Sequence, residues 1–180
     1  MNTPDSLGHG RYLELLDRDG WEYVSRTRGS NVVGMIALTT EDEVILVEQF
    51  RPSVNRRVLE LPAGLVGDEE AGEDPMSAAR RELEEETGYA SDDWTHFGTG
   101  LSSSGLCDES LEILVALDCH KIGDGGGVAG EDIKVILVPR RGLHDHVREY
   151  VANDGLIDLK IYLADTAVNI ARRSMPTDDQ

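Results

Sequence analysis

The chain is poor in thiols, in basic side chains and in long apolar runs, and each shortage excludes something. It has two cysteines, Cys107 and Cys119. Their spacing matches neither a zinc pair nor a disulfide framework, so both are expected as buried or half-buried thiols in a reducing compartment. No stretch approaches the roughly 18 uncharged apolar residues of a membrane span. The opening residues lack a basic region followed by an apolar block, so no secretory signal is expected and the chain is read as cytoplasmic. Seventeen Lys and Arg stand against 35 Asp and Glu, a formal charge of −18. Such a surface repels a phosphate backbone and speaks against a nucleic-acid partner. An anionic substrate would need local arginines, or divalent cations bridging it to the acids. At 180 residues the chain is long enough to bury one substantial core, and a single domain over residues 1–180 is expected.

What is present begins with strands. "RYLELL" and "WEYVS" flank the turn signal "DRDG", and "VVGMIALT" and "EVILVEQF" flank "TED", giving two expected hairpins. "RRVLELPAG" alternates into a Pro and Gly stop. A helix over residues 75–87 has marked ends: Asp74 as N-cap, Pro75 at the first helical position and Gly88 as the left-handed terminal residue. "SLEILVALD" and "DIKVILVPR" are strand-like and separated by a glycine-rich loop. Helical patterns over residues 143–152 and 157–173 close the chain, followed by a loose tail. Strands mixed with a few helices, without strict alternation, predict an α+β architecture in which helices sandwich a mixed sheet.

The helix carries the chemistry. At about 100° per residue, Glu82, Glu85 and Glu86 fall within an arc of about 100°, while Met76, Ala79 and Leu83 form an apolar seam beside it. Glutamates three and four residues apart repel by a few tenths of a kcal/mol per pair when no cation is near. A hard divalent ion that prefers oxygen ligands turns that repulsion into a site, and magnesium in particular binds substrate phosphates beside a few carboxylates.

These residues carry a resemblance. The segment over residues 67–89, "GDEEAGEDPMSAARRELEEETGY", is similar to the Nudix box at every defined position: Gly67, Glu73, Arg81, Glu82, Leu83, Glu85, Glu86, Gly88 and Tyr89. Seven fixed identities coincide about once in 10⁸ random windows at average residue frequencies, a figure that the glutamate content relaxes by about tenfold to a hundredfold. The resemblance implies the Nudix fold, an α/β/α sandwich with an N-terminal antiparallel sheet. It also implies hydrolysis of a nucleoside diphosphate linked to another group, with magnesium or manganese. By position, Glu82, Glu85 and Glu86 are implied metal ligands, and Glu73 and Arg81 a structural pair bracing loop and helix.

Outside the box, residues 47–66, "VEQFRPSVNRRVLELPAGLV", resemble the branch that cleaves ADP-ribose and other nucleoside diphosphate sugars. The resemblance implies that Arg51 contacts substrate phosphate, that Arg56 and Arg57 are further substrate candidates, and that the carbonyl of Ala63 is a metal ligand. Adjacent Arg56 and Arg57 on an extended segment point opposite ways, so they cannot share one role. Gly64 takes the place of the usual first glycine of the box and leaves Gly67 as a turn residue. Ser104 stands where relatives carry a proline, which widens the expected substrate from ADP-ribose to nucleoside diphosphate sugars generally. Glu109, with Asp108, matches the acidic pair that follows this loop in the branch, which leaves open a contact with substrate, a contact with the residues around it, or a polar loop entering a strand. Glu131, just before a strand, with Asp132 as the next match, is implied as metal ligand or general base, with Glu85 as the other catalytic candidate and the glycines before it as hinges. In relatives the N-terminal region, about residues 1–30, lies at a dimer interface and helps to stack the base; Trp21 is the candidate contact and a homodimer is implied.

Two other readings share the motif. One is hydrolysis of a different diphosphate, such as a nucleoside triphosphate or dinucleoside polyphosphate, against which the sequence around Arg51 and Ala63 argues. The other is a non-catalytic domain that senses a nucleotide sugar; sensors are free to lose the box carboxylates, and none is lost here.

Overall fold

The computed structural model describes residues 2–28, 31–67, 72–127 and 132–174. Its strands are β1 (Asp5–His9), β2 (Leu13–Arg18), β3 (Trp21–Arg26), β4 (Asn31–Thr39), β5 (Glu43–Arg51), β6 (Arg56–Glu60), β7 (Ala63–Leu65), β8 (Tyr89–Ala90), β9 (Asp93–Leu101), β10 (Ser110–Lys121), β11 (Ile133–Pro139) and β12 (Leu156–Ile157). Its α-helices are α1 (Pro75–Thr87), α2 (Leu143–Ala152) and α3 (Ala164–Ser174).

β1, β2 and β3 form a separate antiparallel sheet. Its β2–β3 hairpin closes where expected: Asp19 and Gly20 both have positive φ, 57° and 86°, the twist that suits a two-residue connection. Asp17 Oδ1 accepts the Gly20 N–H at 2.9 Å. The larger sheet runs β12-β6-β5-β4-β10-β8, with β11 on β5, β7 on β4 and β9 on β10. It is mixed, because β10 runs parallel to β4 and β12 parallel to β6.

Alternation along the central strands sends side chains to two cores. Ile36, Leu38, Val44 and Leu46 meet Val147 of α2 and Val168 of α3 on one face. Met35, Ala37 and Ile45 meet Ala78, Ala79 and Leu83 of α1 on the other. The architecture is therefore the expected helix, sheet, helix sandwich. Full burial of a leucine such as Leu83 stabilises by about 1.5–3 kcal/mol and fixes how α1 sits on the sheet.

α1 has the predicted ends. Asp74 accepts hydrogen bonds from the N–H groups of Met76 and Ser77 at 3.0 and 3.1 Å. Gly88 has φ 72° and donates its N–H to the Glu84 carbonyl at 2.8 Å.

The expected helix over residues 157–173 is corrected. Leu156 and Ile157 instead pair with Val58 and Leu59, held by the Asp158 N–H on the Leu59 carbonyl at 2.8 Å. Asp158 then caps a 3-10 turn over Leu159–Leu163, and α3 starts only at Ala164. β9, whose outer positions are polar, gives no clear strand signal in the sequence, yet it pairs antiparallel with β10.

Cys107 is half-buried and Cys119 buried, both as free thiols, and burial pushes the Cys119 thiol up to about 12. Among the described residues, no helix is long and apolar enough to cross a membrane.

Candidate functional site

A cavity of about 530 Å³ opens where β7 and α1 meet the ends of β5, β6 and β10. Glu82 and Glu86 line it from α1, Ala63 and Gly64 from β7, Arg51 from β5 and Glu60 from β6. Glu86 and Glu60 are only 6% and 8% exposed, and buried carboxylates are rare unless something charged is meant to meet them.

Backbone proximity sets the wall. The Ala63 N–H donates to Glu86 Oε2 at 3.0 Å, which fixes one glutamate against β7. A side chain on Gly64 would bring its Cβ within 2.0 Å of Glu82 Cδ, so glycine is what lets the other glutamate lie against the strand. The two glycines of this stretch thus do different work. Gly67, at φ 79°, turns the chain and donates its N–H to Glu73 Oε2 at 3.1 Å.

Arg81 ties this loop to the helix. Its Nε meets Glu73 Oε1 at 3.1 Å, and its Nη1 meets Glu82 Oε1 at 2.9 Å and Glu85 Oε2 at 3.2 Å. The Arg81 hydrogen bond holds the Glu73 carboxyl below the usual glutamate range against the opposing effect of burial, and the Gly67 N–H helps. Hydrogen bonding to Glu73 raises Arg81 in turn, so both partners are charged at neutral pH. Glu85, expected with its neighbours at the site, does not line the cavity; it leans on Arg81 at the rim.

The cavity's cations are held by acids. Arg51 meets Glu60 with Nε at 3.0 and 2.9 Å and with Nη2 at 2.6 Å. Burial works against its charge, but Glu60, Glu86 and Asp158 outweigh burial and raise its pKa. Arg26 of β3 reaches in from the small sheet and meets Glu109 at 2.6 Å, while Ser102 Oγ donates to the other oxygen of Glu109 at 2.7 Å. Lys160 pairs with Asp158. Five carboxylates (Glu60, Glu82, Glu86, Glu109 and Asp158) thus face three cations (Arg26, Arg51 and Lys160) among the described lining residues. An excess of two negative charges on oxygen donors alone suits a hard divalent cation. Among the described residues, no group of three or more His, Cys, Asp or Glu is arranged so that it could hold a metal ion. Glu131 lies outside the described residues.

Other expected members sit elsewhere. Arg56 turns to Asp154, meeting its Oδ2 at 3.0 Å. Arg57 is taken up by Glu48 Oε2 at 3.0 Å, by Asp132 Oδ2 at 2.7 Å and by two backbone carbonyls. Neither lines the cavity. Ser104 and Trp21 line a separate recess with Arg18, Tyr23, Cys107 and Asp108. Trp21 is 64% exposed, whereas Tyr23 on the same strand is buried.

The glycines of the loop after β10 are fastened to α1, where hinges were expected. The Gly126 and Gly127 N–H groups donate to the Glu86 and Glu85 carbonyls, both at 2.9 Å. These bonds satisfy carbonyls left open at the helix end. A Cβ on Gly125 would lie 2.3 Å from the Thr87 carbonyl carbon, so the wrap needs glycine there.

Arg26, Glu60, Asp158 and Lys160 were not foreseen. A glutamate closing the apolar run "RRVLE" was a visible signal for Glu60; the other three arrive only through tertiary packing.

A family profile described as NUDIX domain matches residues 30–145. A "Methanol dehydrogenase activator" of Bacillus methanolicus is 34% identical over 76% of this chain and 71% of that protein. An "ADP-sugar pyrophosphatase" of Mus musculus is 33% identical over 79% and 70%. An "ADP-ribose pyrophosphatase" of Bacillus subtilis is 40% identical over 47% of this chain but only 44% of that protein. A solved structure described as an ADP compounds hydrolase superposes with a TM-score of 0.70 over 96% of both chains at 19% identity, a likeness of fold.

Proposed function

Because the chain belongs to the Nudix family and is a hydrolase of pyrophosphate bonds, we propose that it cleaves the diphosphate of nucleoside diphosphate sugars, releasing a nucleoside monophosphate and a sugar phosphate. ADP-ribose and GDP-mannose are the leading candidates, in keeping with relatives named ADP-ribose, ADP-sugar and GDP-mannose pyrophosphatase. The observation that carries the reading is the convergence of Glu82 and Glu86 with Arg51 in one cavity.

Nudix hydrolases are generally dependent on a divalent metal, and the oxygen-only donors and surplus negative charge of this cavity fit one. Magnesium or manganese would be held by Glu82 and Glu86, with Glu85, the Ala63 carbonyl and Glu131 as further donors. When bound, such an ion offsets phosphate charge and lowers the pKa of water. The chain's own residues do the rest. Arg51 and Arg26, each already aligned by a carboxylate, direct guanidinium groups at the diphosphate. Glu73 and Arg81 keep the loop before α1 fixed against the carboxylate edge. Water oxygen bonds to one phosphorus, the bridging P–O bond breaks, its electron pair leaves on the other phosphate, and a carboxylate takes the water proton. Glu131 and Glu85 are the candidates to accept that proton.

Leu7, Tyr12, Leu13 and Leu15 leave apolar surface exposed on the small sheet, which supports a homodimer through that region. Light scattering on the purified chain checks it: twice the chain mass is expected, and a monomer at micromolar concentration contradicts it.

The activity is tested by incubating the chain with ADP-ribose, GDP-mannose and UDP-glucose, with and without magnesium. Release of a nucleoside monophosphate from at least one, only with metal, is expected. No hydrolysis of any would contradict the reading.

A further inference from the structure

The last turn of α1 is bound by a strap of main chain, residues 122–127. The N–H groups of Ile122 and Gly123 donate to the Gly88 carbonyl at 2.8 and 3.1 Å, and those of Gly126 and Gly127 then reach the Glu86 and Glu85 carbonyls. In a continuing helix the Glu85 carbonyl would accept from the Tyr89 N–H, but that group turns to Thr87 Oγ1 at 3.2 Å. The strap thus supplies donors where the helix has stopped providing them. Two close approaches require glycine. A Cβ on Gly125, at φ 67°, would lie 2.3 Å from the Thr87 carbonyl carbon, and a Cβ on Gly88 would lie 2.3 Å from the Gly123 carbonyl oxygen. A Cβ on Gly123 would meet nothing nearer than 3.9 Å.

We infer that Gly125 is a positioning residue for the carboxylates of α1: by letting the strap close on the helix end, it sets where Glu85 and Glu86 project. The inference rests on the proposed function, in which those carboxylates hold the metal, and adds a determinant that lies outside the helix. Three observations carry it. The strap's hydrogen bonds fall on the main chain of the same two residues whose side chains have to be placed. The Glu86 carboxylate is itself held by the Ala63 N–H at 3.0 Å, so a shift of the helix end either moves that carboxylate along β7 or breaks the bond. The strap also contributes little to the core. Its one large apolar side chain, Ile122, is 48% exposed, whereas α1 is seated by Ala78, Ala79 and Leu83 earlier in the helix, all fully buried. A Cβ at residue 125 therefore disturbs the carboxylate edge while the helix stays seated on the sheet.

The experiment compares the full chain with two alanine variants of the same loop, Gly125→Ala and Gly123→Ala. It measures manganese binding by electron paramagnetic resonance, hydrolysis of ADP-ribose at saturating metal, and melting of the metal-free protein. Gly125→Ala is expected to weaken manganese by about tenfold, as disturbing the support of a metal ligand does, and to lower kcat by about tenfold with KM within about twofold. Its metal-free melting temperature should stay within a few degrees of wild type, and Gly123→Ala should match wild type in every measurement. Wild-type manganese binding and kcat in Gly125→Ala overturn the inference, as does an equal loss in Gly123→Ala or a loss that comes with a large drop in metal-free melting temperature. If Gly125→Ala does not fold, amide exchange in the wild type decides. Magnesium should slow exchange of the Gly126 and Gly127 amides, because coupling between strap and carboxylates runs both ways, and exchange that ignores magnesium overturns the inference. Binding and turnover separate the two claims. Weakened manganese binding in Gly125→Ala beside a wild type that hydrolyses no nucleotide sugar upholds the inference and sinks the proposed function. A wild type that hydrolyses one, with Gly125→Ala its equal in manganese binding and kcat, does the reverse.

Discussion

β5 and β6 are joined by two ion pairs of the same chemistry, Arg51 with Glu60 and Arg57 with Glu48, and the two pairs lie on opposite faces of the sheet. On the face toward α2, Arg57 is also bound to Asp132, and Glu48 accepts from the Tyr150 hydroxyl at 2.7 Å. That pair is closed: its partners are protein groups and its work is to join β5, β6, β11 and α2. On the face toward α1, Arg51 and Glu60 border the cavity with Glu82 and Glu86. Identical side chains on identical strands become scaffold or site according to what the alternation of the strand shows them.

The sharpest way to break the comparison is on the cavity face. Glu86→Gln keeps the helix and its hydrogen bond to Ala63 but removes a charge that the proposed metal needs. Turnover of ADP-ribose should fall by about a hundredfold or more, with the melting temperature nearly unchanged. Arg51→Ala should lower kcat/KM by about tenfold to a hundredfold by taking one guanidinium from the diphosphate. Gly64→Ala forces its new Cβ against Glu82, and a carboxylate displaced by about 1 Å should cost about tenfold in kcat. Arg57→Ala is the counterpart on the closed face: kcat/KM should stay within about twofold while the melting temperature drops by a few degrees, because Glu48 and Asp132 lose their partner. An Arg57 variant that lost activity like Arg51, without losing stability, would erase the distinction.

The smallest effect is pH-dependent. Glu73 is held below the usual glutamate range by Arg81, so its contribution to stability is complete above the ordinary glutamate value and disappears as pH falls through the depressed one. Glu73→Gln should therefore flatten the acid limb of a plot of melting temperature against pH, leaving the neutral limb lower but parallel.

Local signals in the sequence were enough for α1. Its cap, its proline and its terminal glycine are set by neighbours within a few residues, and each appears in the structure at the expected residue. The β2–β3 hairpin was legible for the same reason. The far wall of the cavity was not, since Arg26 from β3 and the turn that carries Asp158 and Lys160 approach through two separate elements that no spacing links. Arg56 and Arg57 share their motif with Arg51 but lie apart from it, because the pleat turns Arg57 to the other face and Asp154 draws Arg56 away. The helical period after residue 157 was real, but a parallel bridge to β6 and the Asp158 cap took its first turns.

The measurement closest to the central claim is release of AMP from ADP-ribose by wild type, Glu86→Gln and Arg57→Ala side by side, with magnesium and with chelator. The account predicts metal-dependent release by wild type and Arg57→Ala, and almost none by Glu86→Gln. Equal release by all three, or release that ignores the chelator, would contradict it.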